Sequence, residues 1–223
     1  MPKHLDVRKI AAATDVTAAR VSALLDEAHI AFQPIDTANW PEAYPYQPQV
    51  AFRMAHTGGS ILIEYAVTEQ SVRAVAGEDN GRVWEDSCCE FFFAPAADDG
   101  LYYNVETNCA GFVHVGCGTG RGALRQSLPA ELIATVDRWS SLGHAPFSER
   151  LGECSWRMAL VIPVALFCRH TIQSLDGLSG RANFYKCGDL QQTPHFLSWN
   201  PIEAPKPNFH LPAFFGTLTF LAD

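Results

Sequence analysis

Two carboxylates and two amides at strand spacing mark the chain's most chemically suggestive stretch, Arg82 to Asn108 (RVWEDSCCEFFFAPAADDGLYYNVETN). Ser87–Pro95 and Leu101–Asn108 read as two strands joined by a turn built from Pro95, Asp98, Asp99 and Gly100. Residues two apart in a strand share a face. Glu90 then shares a face with Asp86, Cys88 and Phe92, and Asn104, Glu106 and Asn108 form a row on the next strand. With Trp84 at the strand's start, the pattern suits a neutral, hydroxyl-rich ligand: an aromatic face covers C–H surface, and carboxylates and amides pair hydroxyls that would otherwise be buried unpaired. The solvated outer face of an antiparallel sheet would give the same alternation.

A second dense run, Gly180 to Trp199 (GRANFYKCGDLQQTPHFLSW), adds Arg181, Asn183 and Trp199 as candidates for the same site. Lys186 and Asp189 are close enough in sequence to pair with each other. Cys187, Asp189 and His195 contain the residue types of a nucleophile and its base, without a spacing that fixes their geometry. Glu90 and Glu106, on neighbouring strands, are the residue types of a glycosidase carboxylate pair. The sequence thus leaves three classes open: a sugar binder, a glycoside hydrolase-like enzyme using Glu90 and Glu106, and a scaffold domain without a ligand.

These residues must be positioned by strands. The periodicity predicts a pair over Gln49–His56 and Ser60–Val67 with a His56-Thr-Gly-Gly turn, a short strand over Gln70–Ala76, and further strands at Phe112–Cys117, Leu132–Trp139, Ser155–Ile162 and Thr217–Leu221. Thr17–Ala28 has Val21, Leu24 and Leu25 at helical spacing, with Thr17 as a candidate N-cap. The glycine run GCGTGRG lacks the Lys-Ser/Thr ending of a phosphate loop and reads as a hairpin loop. Trp40, Trp139 and Trp156 are expected in the core. Residues 1–34 form an N-terminal helical extension packed on the body, and residues 35–223 a single domain.

Composition agrees. Of 223 residues, 48% are hydrophobic and 18% charged, which is globular. A net charge of −8 with no basic cluster argues against nucleic acid and anionic membranes as partners. No apolar stretch is long enough to span a membrane. The basic N-terminus has no apolar region before a cleavage site, so the chain reads as cytoplasmic as it stands, and as exported if a signal has been clipped from it. The cysteines (Cys88, Cys89, Cys109, Cys117, Cys154, Cys168, Cys187) show no zinc spacing and read as buried small hydrophobes.

The ordered set WEDSCCEFFFAP, YYNVETNCAG, RANFYKCGD, PHFLSWNPI and NFHLPAFFGTLTF resembles the family-9-like carbohydrate-binding proteins, relatives of the family 9 carbohydrate-binding module of xylanases, over about residues 40–221. The resemblance implies an all-β fold, a jelly-roll β-sandwich of antiparallel strands. It also implies a terminal sugar ring, the reducing end of a glucan or xylan, held between two tryptophans. Carried onto this sequence, the aromatic before the D-S-x-x-E strand matches Trp84, the strand carboxylate Glu90, the late tryptophan Trp199 and a nearby amide Asn183. The resemblance implies structural calcium as well, for which no ligand set lines up here. The expectation is therefore non-catalytic binding of a saccharide or glycan end by Trp84, Glu90, Asn104, Glu106, Asn108, Arg181, Asn183 and Trp199, with no cofactor.

Overall fold

A computed structural model describes residues 2–11, 16–96 and 99–222. In chain order the elements are β1 (His4–Val7), α1 (Ala18–Glu27), β2 (Gln33–Pro34), β3 (Thr37–Ala38), β4 (Gln49–His56), β5 (Ser60–Ala74), β6 (Cys88–Ala94), β7 (Tyr102–Asn108), β8 (Val113–Gly118), β9 (Arg125–Ser127), α2 (Ala130–Ile133), β10 (Asp137–Ser140), β11 (Phe147–Pro163), β12 (Ser179–Cys187), β13 (Phe196–Ser198) and β14 (Gly216–Phe220). They form a two-sheet β-sandwich. The larger sheet runs β1-β14-β12-β6-β7-β8-β9, with β13 and β3 attached beside β12, and the smaller runs β10-β11-β5-β4-β2. All pairs are antiparallel except β1 against β14.

The core between the sheets is made by one parity of each strand. Phe91 and Phe93 of β6 and Phe184 of β12 point inward; Phe184 stacks on Phe52 of β4 with centroids 3.6 Å apart and on Phe91 at 5.0 Å. The opposite parity (Cys88, Glu90 and Phe92; Tyr102, Asn104 and Glu106; Arg181, Asn183, Tyr185 and Cys187) faces away from the smaller sheet. On the far side of the smaller sheet, Val21, Leu24 and Leu25 of α1 pack on Leu62, Ala55, Ala159 and Val161. Beneath that helix the buried Glu64 takes hydrogen bonds from Arg53 Nε (2.7 Å) and Ser22 Oγ (2.5 Å). Each sheet thus has one outer face. The helix closes one, and the other carries the polar row. No helix among the described residues is long and apolar enough to cross a membrane.

Several local readings change. Gln70–Ala74 is no separate strand: β5 runs unbroken through 15 residues because β11 pairs along most of it. Leu132 and Ile133 lie in α2, and of the expected Leu132–Trp139 strand only the part from Asp137 on is extended, in β10. Trp139, placed in the core by periodicity, is 37% exposed because β10 is an edge strand, whereas Trp156 is buried. Thr17 precedes α1 but its side chain makes no capping bond. The turn residue Asp98 lies outside the described residues.

Candidate functional site

The floor of the site is set by register. Glu90 is the direct cross-strand partner of Glu106, and Glu106 in turn faces His114 of β8. Side chains of directly opposed residues lie about 4.5–5.5 Å apart at Cβ, so three titratable groups stand in one line across three strands. Asn104, two residues from Glu106, donates from Nδ2 to its Oε1 at 2.6 Å. Its own Oδ1 accepts from Arg125 Nε at 2.5 Å. Arg125 reaches under the strand because position 116 is glycine: a Cβ there would come within 2.7 Å of Asn104 Oδ1 and 3.0 Å of Arg125 Nε. Gly118 has the same function against the Leu124 carbonyl, where a Cβ would sit 2.1 Å away. The glycine run is therefore a steric device that lets β9 deliver Arg125 to the floor.

The walls come from loops and from the start of β13. Trp84 sits on the 3₁₀ turn Val83–Glu85, half-buried, with its ring edge-on to His114 at 5.5 Å. Across the cavity stand Tyr44, Phe196 and Phe209; Tyr44 meets Phe196 at 4.7 Å, and Phe209 stacks on Tyr185 at 4.1 Å and 5°. Phe209 belongs to the Pro-punctuated return that roofs the sheet. Trp40 pins this segment by donating Nε1 to Ala204 O (2.7 Å), and the Tyr185 hydroxyl does so by donating to Phe209 O (3.1 Å). The open cavity measures about 630 Å³, within the range of small-ligand pockets. Arg121, Lys206 and Asn208 reach its rim.

Burial pushes the Glu90 carboxyl well above the usual range, and the neighbouring charge of Glu106 pushes it further. Burial also raises Glu106, against hydrogen bonding from Asn104 and the charge of Arg125. Asp189 rises to about 6, mainly through burial. Burial and Arg125 lower His114 to about 4, so its ring is neutral at physiological pH, and its Nδ1 is buried without a hydrogen-bond partner. Burial favours the protonated form of both facing carboxyls, and a protonated carboxyl donates as well as accepts hydrogen bonds.

The structure brings Trp84, Glu90, Asn104 and Glu106 to this cavity. It does not bring the other four expected residues. Trp199 is a core residue, 2% exposed and edge-on to Phe52 and Phe184, so no tryptophan pair clamps the cavity. Strand β13 ends by bonding Trp199 N to Phe184 O, which turns the indole between the sheets. Asn108 spends its side chain on Ala76 O, Asp86 Oδ2 and the amides of Ala110 and Phe112. Asn183 holds the Asn200 backbone through both amide atoms, and Arg181 donates to Ala213 O and Phe215 O. These two anchor the roof rather than line the cavity. Lys186 pairs with Glu69 on the opposite face, not with Asp189.

Sequence reasoning missed Tyr44, His114, Arg125, Phe196 and Phe209. The signal for the aromatics was the pair of Pro- and aromatic-rich loops around Tyr44 and Phe209. For Arg125 it was the glycine run, whose glycines imply a close approach. As for metals, one group of three His, Cys, Asp or Glu side chains among the described residues is compact enough to share an ion: Cys88, Glu90 and Cys187. Two of its three donors are sulfur, which does not fit the all-oxygen sphere of calcium.

A family model described as carbohydrate-binding family 9 matches residues 19–220. A candidate carbohydrate-binding protein from Bacteroides uniformis, known from its crystal structure, is 53% identical; the match covers 99% of this chain and 100% of that one, with a TM-score of 0.95. A family 9 carbohydrate-binding module from Caldicellulosiruptor kristjanssonii in complex with cellotriose shares the fold at 11% identity, covering 99% of this chain and 95% of that one, with a TM-score of 0.61. A structure of such a module in complex with glucose does so at 10% identity, covering 97% and 95%, with a TM-score of 0.58. No curated protein matches the chain.

Proposed function

The chain belongs to carbohydrate-binding family 9, and on that premise we propose that the cavity over the outer face of the larger sheet holds one end of a saccharide without cleaving it. The observation that carries this reading is the line Glu90–Glu106–His114 with Asn104, in which Glu90, Asn104 and Glu106 are only 1–4% exposed and His114 is half-buried, opening on a cavity walled by Trp84, Tyr44, Phe196 and Phe209. Hydroxyls are donor and acceptor at once. A floor of two carboxyls whose protonated forms burial favours, with an amide and a neutral imidazole, matches them in both senses. The indole of Trp84 supplies the apolar face for the ring's C–H side. Loss of the second tryptophan from the clamp leaves stacking one-sided, with the Tyr44, Phe196 and Phe209 group as the opposing surface.

Glucose and cellotriose, the ligands of the Caldicellulosiruptor kristjanssonii modules, are the first probes. Calorimetric titration is expected to show saturable binding that Trp84→Ala and Glu106→Gln weaken and Trp199→Phe leaves intact. Absence of saturable binding to these and to xylan fragments would favour a scaffold role. The direct pairing of Glu90 and Glu106 favours a second reading, hydrolysis by a carboxyl pair. Turnover of a chromogenic glycoside that vanishes in Glu90→Gln while binding persists would establish it in place of the first.

A further inference from the structure

We propose that Cys88, Glu90 and Cys187 form a binding site for a thiophilic divalent cation of the zinc class, set into the cavity floor. Cys88 and Cys187 are direct cross-strand partners on β6 and β12, and Glu90 follows Cys88 by two residues on the same face. The two sulfurs and a carboxylate oxygen all lie within 4.8 Å of one another, and Cys187 Sγ is 3.1 Å from Glu90 Oε1. A tetrahedral zinc with bonds of about 2.0–2.3 Å holds its donors roughly 3.3–3.8 Å apart, so small rotations about χ1 complete the triangle.

The three residues are 0%, 3% and 1% exposed, which separates them from the exposed Cys168 and the half-buried Cys154. All three sit on β-strands in one sheet, so the donors are held by backbone rather than by loops. The nearest buried cation, Lys186, is directed to the other face, where Glu69 holds it. Two thiolates and a carboxylate suit zinc or cadmium and discriminate against calcium and magnesium. Glu90 and Cys187 line the cavity, so the fourth coordination position opens into it and is available to water or to a hydroxyl of a bound molecule. Binding forms two metal–sulfur bonds and one metal–oxygen bond; the two S–H bonds and the O–H bond of the Glu90 carboxyl, where protonated, break, and the protons leave to solvent; no electron moves. This proposal stands apart from the saccharide reading: a chain that binds zinc and no sugar leaves it intact, and the reverse result removes it alone.

The test uses the full chain, reduced and stripped with a chelator. Cadmium titration is expected to give an ultraviolet thiolate-to-metal charge-transfer band saturating at one ion per chain, with zinc competing and calcium and magnesium silent. Cys88→Ser and Cys187→Ser should each abolish the saturable band. Glu90→Gln should weaken zinc by about tenfold or more, and Cys154→Ser with Cys168→Ser should change nothing. Should the cysteine variants fail to fold, alkylation of the wild type reads the same question: zinc should protect Cys88 and Cys187 in peptide mapping by mass spectrometry. No band, a band that follows Cys154 and Cys168, equal alkylation with and without zinc, or a Cys88–Cys187 disulfide whose reduction yields thiols indifferent to cadmium would overturn the proposal.

Discussion

Strands β6 and β12 carry a buried polar cluster on each of their two faces, and the two clusters are built in opposite ways. On the inner face Lys186 Nζ is 2.9 Å from Glu69 Oε2, 2.7 Å from His195 Nε2 and 2.9 Å from the Cys187 carbonyl, while Trp156 Nε1 donates to Glu69 Oε1 at 2.7 Å. Burial alone would lower the Lys186 pKa, but the charge of Glu69 and its hydrogen bond raise it above the usual lysine value. Burial and Lys186 hold His195 neutral. On the outer face Glu90 meets Glu106, like against like, and His114 Nδ1 is left unpartnered. The inner cluster pairs its opposite charges within the chain and ties the two sheets together. The outer one sets carboxyl against carboxyl, and burial without an opposite charge is tolerated where an external partner supplies hydrogen bonds. On the proposed function, the difference separates polar residues that hold a fold from those that serve a ligand, a distinction residue type alone cannot make.

The largest effects should come from the inner face. Lys186→Met leaves Glu69 buried and unpaired and is expected to cost about 3–5 kcal/mol in urea unfolding, with much of the loss recovered in the Lys186→Met/Glu69→Met double variant. A Trp199→Ala truncation should cost about 3–5 kcal/mol by emptying core volume. In both, the protein that remains folded should bind saccharide as the wild type does; loss of affinity without loss of stability would erase the contrast between the faces. On the outer face the order reverses. Trp84→Ala should weaken binding by about 2 kcal/mol, roughly thirtyfold in Kd, with little change in unfolding.

The pH dependence of the stripped protein sharpens the contrast. A carboxyl whose folded pKa is raised leaves the native state holding protons that the unfolded chain has released. Stability should therefore fall as pH rises from the unfolded glutamate value, about 4.3, through the raised values of Glu90 and Glu106, and Glu106→Gln should flatten that fall. A profile unchanged by the substitution would show that the pair is not the uncompensated cluster described. The smallest effect is expected at the rim: Lys206→Ala, exposed, should change affinity by less than about 1 kcal/mol.

The sandwich was legible in the sequence because period-2 alternation is clear in β7 and β8 and because β6 is a short apolar run bounded by turn residues. The same alternation put Glu90, Asn104 and Glu106 on one face, where they stand. It failed where alternation carries no positional information. Asn183 and Arg181 have the right parity, yet they lie toward the other end of β12, beneath the roof. The indole of Trp199 follows a strand only three residues long, whose end turns inward. Trp139 alternates like a core residue on a strand with one neighbour. The aromatic wall comes from two separated loops, at Tyr44 and Phe209, and from Phe196 at the start of β13, and their convergence is a product of the topology. The Lys186–Glu69 pair joins residues 117 positions apart, a contact that local pattern does not encode.

The most direct test of the central claim follows the five tryptophan indole N–H resonances by ¹⁵N NMR during titration with glucose or cellotriose. The Trp84 signal is predicted to shift saturably while those of the core residues Trp156 and Trp199 stay in place. A saturable shift at Trp199 or Trp139 with Trp84 unmoved would place the ligand elsewhere and contradict the account.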